Sequence, residues 1–154
     1  MATEEDTKFT PAHAPHPAAI EAFTAVEHII KQEIVKSRHD WDKHEPKMWA
    51  RVHDLTDHQL THFNIAGGSD LTLIRSGATS YGTILLGKIR IPAVNDELGE
   101  GFVHVRIHKG EVDGKDDIRF HSIFTNEGDK DELERPHSWQ AVQTEATPLE
   151  FFNE

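Results

Sequence analysis

Proline dominates the pattern at the start of the chain. Pro11, Pro15 and Pro17 lie among Ala and His, and proline also disfavours helix at the residue before it. Residues 1–17 are therefore expected to form a flexible arm, with one domain over 18–154. From Pro17 the apolar positions take a helical period. Ile20, Phe23, Val26, Ile30 and Ile34 follow one another at intervals of three or four residues, one stripe of an amphipathic helix. Ala18, Ala19, Ala22 and Ala25 support it by propensity, and Glu27 and Lys31 form a favourable i, i+4 pair. This pattern predicts a helix over 17–38. The segment HDWDKHEPK at 39–47 breaks the period. Pro46 can then open a second, short helix to about residue 57, with Met48, Trp49, Val52 and Leu55 facing inward.

Beyond residue 60 the period becomes that of strands. Phe63–Ala66, the turn residues Gly67-Gly68-Ser69-Asp70 and Leu71–Arg75 predict a hairpin ended by Gly77. Residues 79–91 form a long β-rich run whose Gly82 and Gly87 suggest a bend, with Pro92 as its stop. Residues 102–108 and 118–124 alternate cleanly, joined by a loop over Lys109–Asp117. Residues 138–144 give a last strand, followed by Pro148 and the apolar Leu149, Phe151 and Phe152. No helical pattern separates the strands, which argues against a parallel doubly wound sheet. The expected fold is α+β, with N-terminal helices packed on one face of a curved antiparallel sheet of five or six strands. The alternative is a small β-barrel with an N-terminal helix.

The strand pair at 102–108 and 118–124 carries the most chemistry. Val103, Val105 and Ile107 share one face of the first strand; His104, Arg106 and His108 share the other. In the second, Ile118, Phe120, Ser122 and Phe124 share one face, and Arg119, His121 and Ile123 the other. The apolar faces must coincide, because a slip of one residue would bury a row of charges. This places His104, Arg106, His108, Arg119 and His121 on one side. Two registers fit, with His104 opposite His121 or Arg106 opposite His121; the second avoids setting Arg106 against Arg119. Imidazoles lining a pocket there would move protons near neutral pH, and arginines would hold an anionic group. The competing expectation is the solvated face of a sheet buried on one side only.

Composition narrows the function class. Of 154 residues, 36% are hydrophobic and none is Cys, so there is no disulfide framework, thiolate nucleophile or Cys-ligated metal. The formal charge is −11, concentrated after residue 95. No basic stripe is present to displace counterions from nucleic acid or to meet an anionic membrane surface. No apolar run is long enough to span a bilayer, and the polar, acidic start has no secretory pattern. Together these features point to a cytoplasmic protein that binds neither nucleic acid nor membrane.

The 12 His raise the question of a metal. His58 and His62 have the i, i+4 spacing of a zinc-protease helix, but Gln59 stands where that motif has its Glu. No third ligand follows from the spacing, and His39-Asp40-Trp41-Asp42-Lys43-His44 fits a solvated turn. No metal site is expected. Nucleophile-elbow, phosphate-loop and dinucleotide motifs are absent, and no cofactor is expected.

The order of elements, Asp40-Trp41-Asp42 after the first helix, and His62-Phe63 followed by Gly67-Gly68 resemble the nuclear-transport-factor-2-like families. These include ketosteroid isomerase, scytalone dehydratase and SnoaL-like polyketide cyclases. The resemblance covers about half the chain. It implies a helix against a curved antiparallel sheet with a ligand pocket in the cone, and a pocket acid or base at His62, with Asp40 as a weaker candidate.

The expected function is small-molecule binding, extending to cofactor-independent lyase or isomerase chemistry by His general acid–base catalysis. The catalytic candidates are His62, His104 and His121, and the ligand-binding candidates Arg106, Arg119 and Tyr81. The alternative is a non-catalytic ligand carrier, or an interaction protein that forms a homodimer through an uncovered sheet face.

Overall fold

The computed structural model describes residues 9–44, 49, 52, 54–65, 70–79, 82–96, 99–127, 139–150 and 152. The predicted helix is present but divided. Helix α1 spans Pro17–Ala25 and α2 spans Glu27–His44. They meet at Val26, whose amide turns back to the Phe23 and Thr24 carbonyls. The His16 side chain caps α1 by accepting from the Ala19 amide, filling one of the donors that a helix N-terminus leaves open. Helix α2 continues past the expected end at residue 38, so Asp40-Trp41-Asp42 is helical and not a turn. Most of the expected helix from Pro46 lies outside the described residues. Trp49 and Val52 are both buried.

A third helix, α3 (Asp57–Leu60), stands where helix was expected to give way to strand. Thr56 and Gln59 explain it, because their side chains each bond the other's backbone amide in a capping box. Arg38 ties α3 to α2. It donates to the Leu55 carbonyl at 2.7 Å and pairs with Asp57. Hydrogen bonds from His39 and Arg38 hold the Asp57 carboxyl below its usual range.

Strands β1 (Leu71–Thr79), β2 (Gly82–Asp96), β3 (Gly99–Val112) and β4 (Lys115–Ile123) form an antiparallel sheet in sequential order. Two short strands, β5 (Asn126–Glu127) and β6 (Trp139–Gln140), pair separately. The class is therefore α+β with an antiparallel sheet of four strands. The expected hairpin from Phe63 is replaced. Residues 62–65 are not strand, and β1 pairs with β2, Ile74 lying opposite Gly87.

Pro92 does not end its strand either. The ladder to β3 lapses between Ile91 and Asn95, so a residue without an amide hydrogen is tolerated there. The expected loop at 109–117 shrinks to Asp113-Gly114. Their φ values of +52° and +77° make the two-residue turn that matches the twist of its flanking strands. The last strand, expected over 138–144, is limited to β6 and one bridge from Gln143 to Phe102.

Helix α1 lies on the face of the sheet that holds Ile74, Gly87 and Val105. A Cβ at Gly87 would come within 2.5 Å of the Phe23 ring, so this glycine lets helix and sheet approach. Val26, Ile30 and Ile34 complete the contact, with Ile30 and Ile34 fully buried. Truncating Ile30 to Ala is expected to cost about 2–5 kcal/mol, read as a lower urea midpoint; an unchanged midpoint would place the stripe outside the core.

No described helix is long and apolar enough to cross a membrane. Residues 9–13 run along the outer edge of β1, where His13 and Ile74 exchange backbone hydrogen bonds.

Candidate functional site

The opposite face of the sheet, expected to be polar and open, is covered. Its register rows are Leu73, Lys88 and His104; Arg75, Leu86, Arg106 and Ser122; and Gly77, Ile84, His108 and Arg119. Ile84 and Leu86 carry a second small core with Leu149 and Phe152, against which Phe9, Leu73 and Phe124 pack. The C-terminal segment returns across this face after Gln143 and Phe102 exchange backbone hydrogen bonds at 2.6 and 2.9 Å. The apolar tail residues Leu149 and Phe152 cover the face because Ile84, Leu86 and Phe124 leave apolar surface to bury there.

The register differs from both expected alternatives. A bulge between Arg106 and Ile107 leaves His121 as the extra residue, so Arg106 faces Ser122 and Ile107 faces Phe120. The bulge reverses the alternation of β4 at one point. Ile118, Phe120 and Ile123 can then all pack toward the helix-side core, while Phe124 joins the second core. An unbroken alternation would have sent Ser122 into the first core and Ile123 out of it. His121 is consequently exposed, with Nδ1 2.6 Å from the Ser122 hydroxyl. Arg119 is exposed and donates to Asp117 at 2.8 Å.

His62 is exposed beyond the end of α3, its ring 5.3 Å from that of His58. No group of three metal-ligating side chains occurs among the described residues. Tyr81 and the Asp40 side chain lie outside them. The expected candidates are thus divided: His104 and Arg106 share the covered face, His62 stands elsewhere, and His121 and Arg119 face solvent.

Three cations on this face reach the C-terminal segment. Lys88, 1% exposed, donates to the carbonyls of Glu145 at 2.6 Å and Thr147 at 2.8 Å. Its ammonium also lies 4.9 Å from the centre of the Phe102 ring, a favourable cation–π distance. Burial lowers the Lys88 pKa, and the Glu145 charge opposes that shift. Arg75 donates to the Leu149 carbonyl and, from Nε, to the Thr10 carbonyl, both at 2.9 Å. Its guanidinium is 5.5 Å from the centre of the Phe9 ring. Arg106 donates to the Phe152 carbonyl at 2.8 Å, and burial lowers its pKa.

His104, fully buried beside them, has no hydrogen-bond partner on either ring nitrogen among the described residues. It stacks on Phe124 at 5.7 Å between ring centres. Burial, and secondarily the Lys88 charge, push its pKa down to about 3. At neutral pH it is a neutral imidazole, poorly matched to proton transfer.

A groove of about 390 Å³ opens beside this row. Leu73, Arg75 and Lys88 form its floor, with Pro11 and Ala12 on the arm side and residues 145–150 on the other. Neither Arg75 nor Lys88 has a carboxylate within ion-pair distance among the described residues. A second groove, of about 460 Å³, contains Arg90, but that guanidinium is already paired with Asp70 at 2.9 Å and Glu100 at 3.3 Å.

Arg75 and Lys88 are the residues that sequence reasoning missed. The available signal was a single charge in each apolar run, LTLIR and ILLGKI. The apolar tail was a second signal, since it needed a surface to cover. Comparison with known protein families, characterised proteins and solved structures finds no match to this chain.

Proposed function

We propose that this chain is a non-catalytic binding protein for a small anionic molecule, held in the groove between the N-terminal arm and the C-terminal segment. One observation carries the proposal. In a chain of net charge −11, two cations at the floor of a groove donate to backbone carbonyls and make no ion-pair contact with a carboxylate among the described residues, the Glu145 charge acting on Lys88 without a direct bond. A bound anion would meet both cations directly, and its hydrogen bonds would be stronger than those of a carbonyl. Leu73, Pro148 and Leu149 beside the cations favour a ligand with an apolar portion, the usual composition of small-molecule sites.

Carriage is favoured over catalysis by the lining itself. Among the described residues no His lines the groove, and nearby His104 is held neutral and covered. The resemblance-based acid–base candidate, His62, is exposed beyond α3 and contributes nothing to this groove.

Calorimetric titration with octanoate, and with octanol as its uncharged counterpart, tests the proposal. Octanoate is expected to bind saturably and octanol much more weakly. Arg75→Gln should weaken octanoate binding about ten- to hundredfold, since losing one charge-assisted contact is worth about 1.5–3 kcal/mol. Equal affinity for octanol, or unchanged affinity in Arg75→Gln, would remove this function.

A further inference from the structure

The groove between the arm and the C-terminal segment holds charges of both signs. Arg75 and Lys88 form its floor, and Glu145 and Glu150, both exposed, stand on its C-terminal side. Neither carboxylate makes an ion pair among the described residues.

Backbone bonds fix where Glu145 stands. Lys88 donates to its carbonyl at 2.6 Å and to that of Thr147 at 2.8 Å. The turn that carries it is closed twice. The Thr147 amide donates to the Thr144 carbonyl at 3.2 Å, and the Thr144 amide to the Thr147 hydroxyl at 3.1 Å. One residue thus gives Lys88 a carbonyl and sets a carboxylate near it. The Glu145 charge acts on the Lys88 ammonium, yet the two make no direct ion pair among the described residues. Opposite charges are left apart at the edge of a groove of about 390 Å³. Glu145 also borders the second groove, but Arg90 there is already paired with Asp70 and Glu100.

A simple carboxylate matches only half of this arrangement. Its charge would meet Arg75 and Lys88, and Glu145 nearby would repel it. A molecule with an ammonium on the carbon beside its carboxylate would set one charge on the floor and the other against Glu145. Both contacts would be charge-assisted, and therefore strong. Leu73, Pro148 and Leu149 would take its apolar remainder, leaving a few convergent polar groups to fix its orientation.

We infer that the groove takes an α-amino acid with an apolar side chain, its carboxylate on Arg75 and Lys88 and its ammonium on Glu145. The inference rests on the function proposed above and adds Glu145 as the residue that selects among carboxylates.

Calorimetry on the full chain at neutral pH tests it with octanoate, α-aminooctanoate and ω-aminooctanoate. These probes share one chain length and differ only in the ammonium and its position. α-Aminooctanoate is expected to bind about tenfold more tightly than octanoate, the gain from one added charge-assisted contact, and ω-aminooctanoate to lack that gain. Glu145→Gln keeps the backbone carbonyl that Lys88 holds and changes an exposed side chain. It should weaken α-aminooctanoate and tighten octanoate, so that the preference disappears.

Equal affinity for octanoate and α-aminooctanoate, or a preference unchanged in Glu145→Gln, would overturn the inference and leave the anion-binding function standing. An equal gain with ω-aminooctanoate would also overturn it, because the ammonium would then not be read beside the carboxylate. If none of the three binds, both readings fall. If α-aminooctanoate alone binds, and Glu145→Gln weakens it, the inference stands and the groove is closed to simple carboxylates.

Discussion

Acidification is expected to destabilise this protein through His104. The group is an imidazole of ordinary pKa 6.5 when unfolded and about 3 when folded. Between those values the unfolded chain binds a proton that the folded chain refuses, so stability falls as pH falls through this window. Its contribution is complete above pH 6.5 and is lost progressively toward pH 3. Each unit within the window removes about 1.4 kcal/mol, giving a total near 5 kcal/mol.

Other His and the carboxylates titrate in the same range, so the diagnostic quantity is a difference between variants. His104→Leu keeps an apolar side chain against Phe124 and deletes the two unpaired nitrogens. It should be at least as stable as the native chain at pH 7.5, because removing an unsatisfied buried group is favourable. By pH 4 the native chain should have lost about 3 kcal/mol more than the variant. Urea midpoints measured from pH 7.5 to pH 4 give this comparison directly. Parallel curves would show that His104 protonates in the folded state without penalty.

The other large effect is expected where α1 meets β2. Phe23 is fully buried, and Phe23→Ala should cost about 3–5 kcal/mol. Gly87 creates the space for that ring. A Cβ there would lie 2.5 Å from Phe23 Cζ and 2.9 Å from a Leu71 methyl, closer than real contacts allow. Gly87→Ala should therefore cost about 1–3 kcal/mol through overpacking.

The two effects share one space and should not add. In a Phe23→Leu background, Gly87→Ala should cost at least 1 kcal/mol less than in the native chain, within the usual coupling between contacting residues, roughly 0.5–3 kcal/mol. A double-mutant cycle on denaturation midpoints measures this. Strict additivity would mean that the close approach is relieved elsewhere in the helix.

Both expectations depend on contacts between elements distant in sequence, and the same division separates what was legible in the chain from what was not. The periodicity of Ile20, Phe23, Val26, Ile30 and Ile34 specified a helix and its buried side, because a 3.6-residue period admits one inward stripe. The alternation in 102–108 specified a strand with Val103, Val105 and Ile107 inward. The absence of helices between strands specified an antiparallel sheet. These properties are local, set by side-chain direction along a single element.

Other features needed partners. The glycines at 67–68 suggested a hairpin starting at Phe63, but the capping box at Thr56 and the pairing of β1 with β2 engage backbone groups that no local period reveals. The bulge at His121 arises because Ile123 and Phe124 must enter different cores, a requirement invisible until both cores exist.

The candidate site shows the limit most clearly. His104 and Arg106 were correctly placed on one face of their strand, yet alternation cannot say whether that face meets water or chain. That was decided by Leu149 and Phe152, more than forty residues away, folding back over Ile84 and Leu86. Their burial turned an expected solvated row of imidazole and guanidinium groups into a covered one. It also drew Lys88 and Arg75, singled out by no sequence motif, onto the backbone of the returning segment. The sequence alone thus determined which residues share a face. Only the tertiary structure decided what covers it, because burial depends on the whole chain's apolar surface and not on the period of any one strand.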